Sequence, residues 1–248
     1  MKQNNIEILE EHLSFLSLHK VKENYISEAE KAAKTKLTYQ EYLSRVIEIE
    51  MISKIDRSIN RRIQLAGFPQ IKHLEEFDFS YQPQLDELLI RELSNMNFLS
   101  EAKNILLLGP PGVGKSHLAI SLGIKAATKR KRVSFYTAEN LTTALIAAEI
   151  NGNIIKFIES LARLDLLIID ELGYLELNKS TATLFFKMIN KRYESGSIIV
   201  TSNKPFEEWG QIFQDDVVAS AILDRLLHHS YPFFIQGKSF RTKNLNTK

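Results

Sequence analysis

The chain contains no cysteine. Disulfides and thiolate metal sites are therefore excluded. No apolar run approaches the roughly 20 residues that a helix needs to cross a bilayer. The acid-rich N-terminus does not read as a signal peptide. A cytoplasmic protein with no membrane partner is the expectation. An excess of one charge is also lacking: 32 Lys and Arg stand against 30 Asp and Glu, a net of +2. That is too small to argue for a nucleic-acid partner, so any such case rests on where the charges sit. The six histidines show no metal-ligand spacing. His228 and His229 are adjacent, and helical neighbours point about 100° apart, so they would not share an ion as an i, i+4 pair does.

What is present reads as a soluble globular chain. Its 248 residues are 44% apolar and 25% charged, enough for one large domain or an ordinary domain plus a small one. One stretch organises the rest. An apolar strand, Ile105 to Leu108, runs into Gly109-Pro110-Pro111-Gly112-Val113-Gly114-Lys115-Ser116, with His117 directly after. This meets the pattern G-x-x-x-x-G-K-S in full. Glycines let successive N–H groups turn inward around an anion, and the helix that follows adds its positive end. Lys115 brings a point charge for the β/γ-phosphates, and Ser116 offers a hydroxyl to Mg²⁺. ATP and Mg²⁺ are the expected ligands.

The N-terminal third is helical in spacing. Ile6, Leu9, Leu13 and Leu16 share one side of a segment over 5–32. Thr38 and Glu41 form a capping box, with Leu37 and Tyr42 as a possible staple. The helix that follows carries Leu43, Val46, Ile49 or Ile52, Ile55, Ile59 and Ile63 on one stripe and stops near Gly67 and Pro69. Residues 1–66 thus read as a small all-α domain. Its last turns gather Lys54, Arg57, Arg61 and Arg62 against Asp56. These cations suit a phosphate-tracking face, or simply a solvated helix end whose charge matches the dipole. Residues 67–83 read as a connector. Phe77 and Phe79 there suit either packing beside an adenine or sealing the joint. An amphipathic helix is expected over 84–99.

From residue 104 strands and helices alternate. Strands are expected at 104–109, 133–137, 165–170, 197–202 and 232–236, with a helix over 217–229 before the last. Alternation of this kind gives an α/β fold: a parallel sheet flanked by helices on both faces, with the ligand at the carboxyl ends of the strands. The other strand ends therefore matter. Leu166 to Ile169 deliver Asp170, placed to hold Mg²⁺ opposite Ser116, and Glu171, placed to polarise a water. The strand over 197–202 delivers Asn203, which can orient that water or cap a turn before Lys204-Pro205. Arg225 lies on an apolar helix and could neutralise a transferring phosphoryl group, or pair with Asp224. The run Lys129 to Arg132 reads as a solvated turn. Lys238, Arg241, Lys243 and Lys248 make a basic tail.

Together these segments resemble the IstB/DnaC-type AAA+ ATPases over nearly the whole chain. The carriers are RRIQLAGFP, LEEFDFSYQP, LLLGPPGVGKSHLA, LLIIDELGYL, IIVTSN and LDRLLHHSYPFFIQGKSFR. The connector and phosphate loop look closest to the transposition helpers of insertion sequences. The resemblance implies a P-loop NTPase of the AAA+ kind over 84–248, preceded by a helical domain for DNA binding and assembly. It also implies subunits that join as a homo-oligomer on duplex DNA, bend it and present it to an IstA-like transposase. By motif match Asn203 is the sensor, Arg225 is the arginine finger that reaches a neighbour's site, and Arg241 takes the terminal S-x-R position. Too few residues follow 236 for the C-terminal helical lid of many AAA+ proteins. A neighbour would then complete the pocket, and hydrolysis would depend on assembly. Two other functions share parts of this pattern. A DnaC-like helicase loader uses the same core. A small-molecule P-loop kinase needs an acceptor pocket and a mobile cover; the chain shows no such insertion, and the Asp170-Glu171 pair suits water activation better.

Overall fold

The computed structural model describes residues 2–237 and 239–240, with side chains from residue 5 onward. Of the basic tail, Lys238, Arg241, Lys243 and Lys248 lie outside the described residues. The chain divides into two compact units, Met1–Arg61 and Arg62–Lys248.

The smaller unit is built from α1 (Lys2–Phe15), α2 (His19–Thr35) and most of α3 (Tyr39–Leu65). The expected single segment over 5–32 is broken at Ser17, which takes φ 55°. The Leu18 N–H then bonds the Leu13 carbonyl at 2.8 Å and ends the turn. The break leaves only part of the apolar side inside. Leu13, Val21 and Val46 are buried, with Leu18, Tyr25 and Tyr42 against them, while Ile6, Leu9 and Leu16 stay exposed. On α3 the stripe is likewise thinner than expected, since Leu43 remains exposed. The Thr38–Glu41 capping box forms: the Glu41 N–H donates to Thr38 Oγ1 at 3.2 Å, and the Thr38 N–H to Glu41 Oε2 at 2.7 Å. Glu50 is a buried charge that the sequence did not single out. It is 2% exposed and accepts from the N–H groups of Lys20 and Val21 at 2.7 and 3.1 Å. These are orphan donors of the first turn of α2. Arg57 Nη2 closes the set at 3.1 Å. Burial works to raise the Glu50 carboxyl; the two N–H groups, Lys54 and Arg57 outweigh it and hold it below its ordinary range.

In the larger unit five parallel strands stand in the order β2-β3-β4-β1-β5. They are β1 (Asn104–Leu108), β2 (Val133–Thr137), β3 (Leu166–Asp170), β4 (Ser197–Ser202) and β5 (Ser230–Phe234). Strand alternation assigns neighbouring side chains to opposite faces. Ile105, Leu107 and Ile168 enter one core with α6 (Lys115–Thr128). Leu106, Leu108, Leu167 and Ile169 enter the other. That second core holds α7 (Ala138–Ile150), α8 (Ile154–Ala162), α9 (Lys179–Arg192), α10 (Trp209–Phe213) and α11 (Asp216–Leu227). Burial on both faces explains the unbroken apolar runs of β1 and β3.

Three expectations need correction. The helix over 84–99 is two short ones, α4 (Glu87–Leu93) and α5 (Asn97–Ser100), parted at Met96 with φ 67°. The last strand begins at residue 230, two residues early, because β5 pairs with β1 from Asn104 onward. Helix α11 stops at Leu227, so His228 and His229 lie beyond it. The connector is more ordered than its composition suggested. It holds single 3₁₀ turns at Leu74–Glu76 and Phe79–Tyr81, and Phe68, Phe77 and Phe79 pack against the α6 core. Just before it the Ala66 carbonyl accepts from the Phe135 N–H at 2.7 Å, occupying the outer edge of β2. Ile63 and Ala66 also join that core, which is why the larger unit claims the end of α3.

Candidate functional site

The phosphate loop connects β1 to α6 at the carboxyl end of the sheet. Gly114 takes φ 101°, and a Cβ there would lie 2.5 Å from Phe77 Cε2. The loop can close against the connector only because position 114 has no side chain. Lys115 is buried, and its ammonium donates to the carbonyls of Gly109 and Pro110 at 2.7 and 2.8 Å. The cation is thus held at the loop mouth.

The sequence separated the remaining site residues by tens of positions; the sheet brings several together. Asp170 ends β3, is 5% exposed, and accepts from Ser116 Oγ at 2.8 Å. The same oxygen accepts from Thr201 Oγ1. Thr201 in turn accepts from the Glu171 N–H at 3.0 Å. Glu171 stands in the left-handed region at φ 63°, ψ 36°, a conformation that costs a residue with a Cβ about 1 kcal/mol. That turn takes its exposed side chain out of the strand direction and onto the cleft wall. Asn203 lies on the same wall, and its Oδ1 is buried without a hydrogen-bond partner among the described residues. A Cβ on Gly173 would fall 1.8 Å from that oxygen. Buried polar atoms are nearly always paired, so an orphan beside a cleft points to a ligand or water.

The cleft measures about 360 Å³, within the range of small-molecule sites. Its floor is the phosphate loop from Pro111 to His117. Its side is aromatic: Phe77, Tyr81, Tyr174 and Phe240. Phe77 meets the His117 ring edge-on at 5.4 Å, and Tyr81 meets Phe240 at 5.4 Å. Phe77 therefore both packs on the core and lines the cleft, so the two readings of the connector aromatics are not exclusive. Sequence reasoning missed Thr201, Gly173, Tyr81, Tyr174 and Phe240. Thr201 was within reach: it shares a strand face with Asn203, two residues on. Tyr81 and Phe240 were not, since 158 residues separate Tyr81 from Ser239.

Other expected residues lie elsewhere. Arg225 does not line this cleft. Its Nε donates to Asn190 Oδ1 at 2.8 Å, its Nη1 to the Ala221 carbonyl at 2.9 Å, and its guanidinium stacks 4.8 Å above the Phe186 ring. Lys54, Arg57 and Arg61 belong to the smaller unit and are exposed. Arg62 is half-buried, with Nε unpartnered among the described residues. No described helix is long and apolar enough to cross a membrane.

A strand, a phosphate loop, a buried acid at the tip of β3 and a polar residue just past β4 make one nucleotide-type cleft. The sequence model described as "IstB-like ATP binding protein" matches residues 11–247. The chain belongs to the IstB-like family. It is 43% identical over 235 residues to the insertion sequence IS21 putative ATP-binding protein of Pseudomonas aeruginosa, covering 95% of this chain and 89% of that one. In fold it is similar to AMPPCP-bound DnaA from Aquifex aeolicus, with a TM-score of 0.59 and 23% identity over 72% of this chain and 55% of that one. It is also similar to the DnaC helicase loader, with a TM-score of 0.53 and 23% identity over 70% and 98%. At these identities both likenesses speak for the AAA+ P-loop fold alone.

Proposed function

We propose that this IstB-like chain is an Mg²⁺-dependent ATPase that assembles on duplex DNA and assists the transposition of an insertion sequence by engaging its transposase in the cytoplasm. The observation that carries the catalytic part is the Ser116–Asp170 pair at 2.8 Å. A hydroxyl and a carboxylate are hard oxygen donors of the kind Mg²⁺ takes, so the donor set fits that ion. When bound, Mg²⁺ would be held by Ser116 and Asp170 and would neutralise phosphate charge. Around it the chain's own residues divide the work. The loop N–H groups from Gly112 to Ser116 and the start of α6 bind the phosphates, once Lys115 turns from the loop carbonyls toward them. Glu171 accepts a proton from the attacking water, and Asn203 orients that water through its unpaired oxygen. Thr201 holds Asp170 and the Glu171 backbone in register.

Arg225 stands outside its own chain's cleft, which supports a role in a neighbour's site. Assembly would then be required for hydrolysis. The role in transposition rests on the relatives: the one from Pseudomonas aeruginosa is an insertion-sequence protein by its description. Lys54, Arg57, Arg61 and Arg62 are the residues assigned to duplex DNA.

The test measures ATP turnover against protein concentration, with and without long duplex DNA. Turnover per chain should rise with concentration and with DNA. Equal turnover by dilute monomer would overturn the intersubunit site. Phosphoryl transfer to a small acceptor without DNA would make the chain a kinase. Preference for single strands with affinity for a hexameric helicase would make it a loader.

A further inference from the structure

His228 and His229 follow the last turn of α11, where the chain turns into β5. The expectation that neighbouring histidines diverge held only for a continuing helix. Here their rings lie 4.0 Å apart between centroids, inclined at 46°. Glu194 reaches them from the turn after α9. Its Oε1 is 3.8 Å from His229 Nε2 and 4.0 Å from His228 Nδ1. One ligand atom from each of the three lies within 4.8 Å of the other two. Tetrahedral zinc, with bonds of about 2.0–2.1 Å, sets its ligand atoms about 3.3 Å apart. All three side chains are exposed, so rotation about their χ angles spans the difference. None of the three lines the nucleotide cleft.

The backbone beneath these ligands is fixed. Arg192, two residues before Glu194, is 1% exposed and donates to the carbonyls of Leu161, Leu164 and Ser197. The His229 carbonyl accepts from the Asn104 N–H at 2.8 Å, and Asn104 Nδ2 donates to the Leu226 carbonyl at 3.0 Å. Glu194 is held at φ 56°, a left-handed position that a residue with a Cβ adopts only when its surroundings impose it. The Tyr193 hydroxyl lies 2.7 Å from His228 Nδ1, the nitrogen that faces Glu194, and an ion bound through that nitrogen displaces the hydroxyl.

We propose that Glu194, His228 and His229 form a binding site for a zinc-class divalent cation, with one coordination position open to water or an outside ligand. Two imidazoles and one carboxylate favour Zn²⁺, Ni²⁺ or Cu²⁺ over Mg²⁺ or Ca²⁺, which take oxygen ligands. The bound ion ties the end of α9 to the end of α11. Those helices also carry Asn190 and Arg225, which are bonded to each other.

The test is calorimetric titration of tag-free, metal-stripped full chain with ZnCl₂, without nucleotide and in millimolar Mg²⁺. One Zn²⁺ per chain should bind in the low micromolar range or tighter. Glu194→Gln, His228→Ala and His229→Ala should each weaken binding about tenfold or more. Asp170→Asn, which removes the carboxylate of the nucleotide cleft, should leave Zn²⁺ binding unchanged. Co²⁺ in place of Zn²⁺ should give a visible absorption band that His229→Ala loses. No Zn²⁺ uptake by the wild-type chain at tens of micromolar overturns the proposal. So does uptake that survives in all three variants, or uptake that Asp170→Asn abolishes.

Discussion

Three side chains show how much a single position decides. Glu171 was legible as the acid after a strand end, but its left-handed backbone was not, because its N–H finds its partner, Thr201, on another strand. Glu171→Gln should keep ATP affinity and lower turnover by about 10²–10⁴-fold, the usual share of a general base; nucleotide binding and steady-state hydrolysis measured side by side check this. Thr201→Val removes a donor to Asp170 and strands the Glu171 N–H, a loss of about 1–3 kcal/mol for a buried group. Its turnover should fall while ATP affinity stays near that of the wild type, read from the same pair of assays. Glu50 is the third. Its folded carboxyl titrates below its unfolded value, so its contribution is present above the unfolded range, near pH 4.3, and is lost as pH falls through the folded value. Hydrogen exchange at the Val21 amide should therefore accelerate as pH drops below that range, after correction for intrinsic exchange. Glu50→Ala should accelerate it already at neutral pH, by the about 1.5–3 kcal/mol of a charge-assisted bond.

At the level of elements, local signals and long-range packing divide cleanly. The capping box at Thr38 and the strand–loop–helix at 104–120 are local, and both form as read. The break at Ser17 and the split at Met96 are not local decisions. At Met96 the chain turns so that Ile90, Leu93, Met96 and Phe98 all enter the α6 core, which one straight helix would not allow. Helix α9 shows the same principle through one residue. A basic residue at a helix end commonly answers the dipole, yet Arg192 is buried and binds three carbonyls, those of Leu161 in α8, Leu164 just before β3 and Ser197 at the start of β4. Burial lowers its guanidinium to about 10, against a smaller upward pull from Asp165. Arg192→Met would remove a buried donor from each of those carbonyls and should cost about 3 kcal/mol, seen as a lower midpoint in urea unfolding of the full chain.

For the whole molecule the decisive experiment is complementation. Glu171→Gln keeps Arg225 but lacks its own base, and Arg225→Ala keeps the base but offers no guanidinium. If each site joins one chain's cleft to a neighbour's Arg225, either variant alone should be inactive. An equal mixture should recover about a quarter of wild-type turnover, because half of the clefts and half of the fingers are intact. No recovery on mixing, with both variants still binding ATP, would place Arg225 outside the reaction. What the sequence determined by itself was the chemistry that depends on near neighbours: the phosphate loop, whose glycines, Lys115 and Ser116 act within eight residues, and the α/β order, which follows from alternating periodicity. What only the tertiary structure decided were the contacts made across the sheet. Parallel strands β1, β3 and β4 bring Ser116 and Thr201 onto the one carboxylate of Asp170, Phe77 closes on Gly114, and the end of α11 turns His228 onto His229. The physical reason is that spacing along a chain fixes which face of its own element a side chain takes, while its partners on other elements are chosen by how those elements pack.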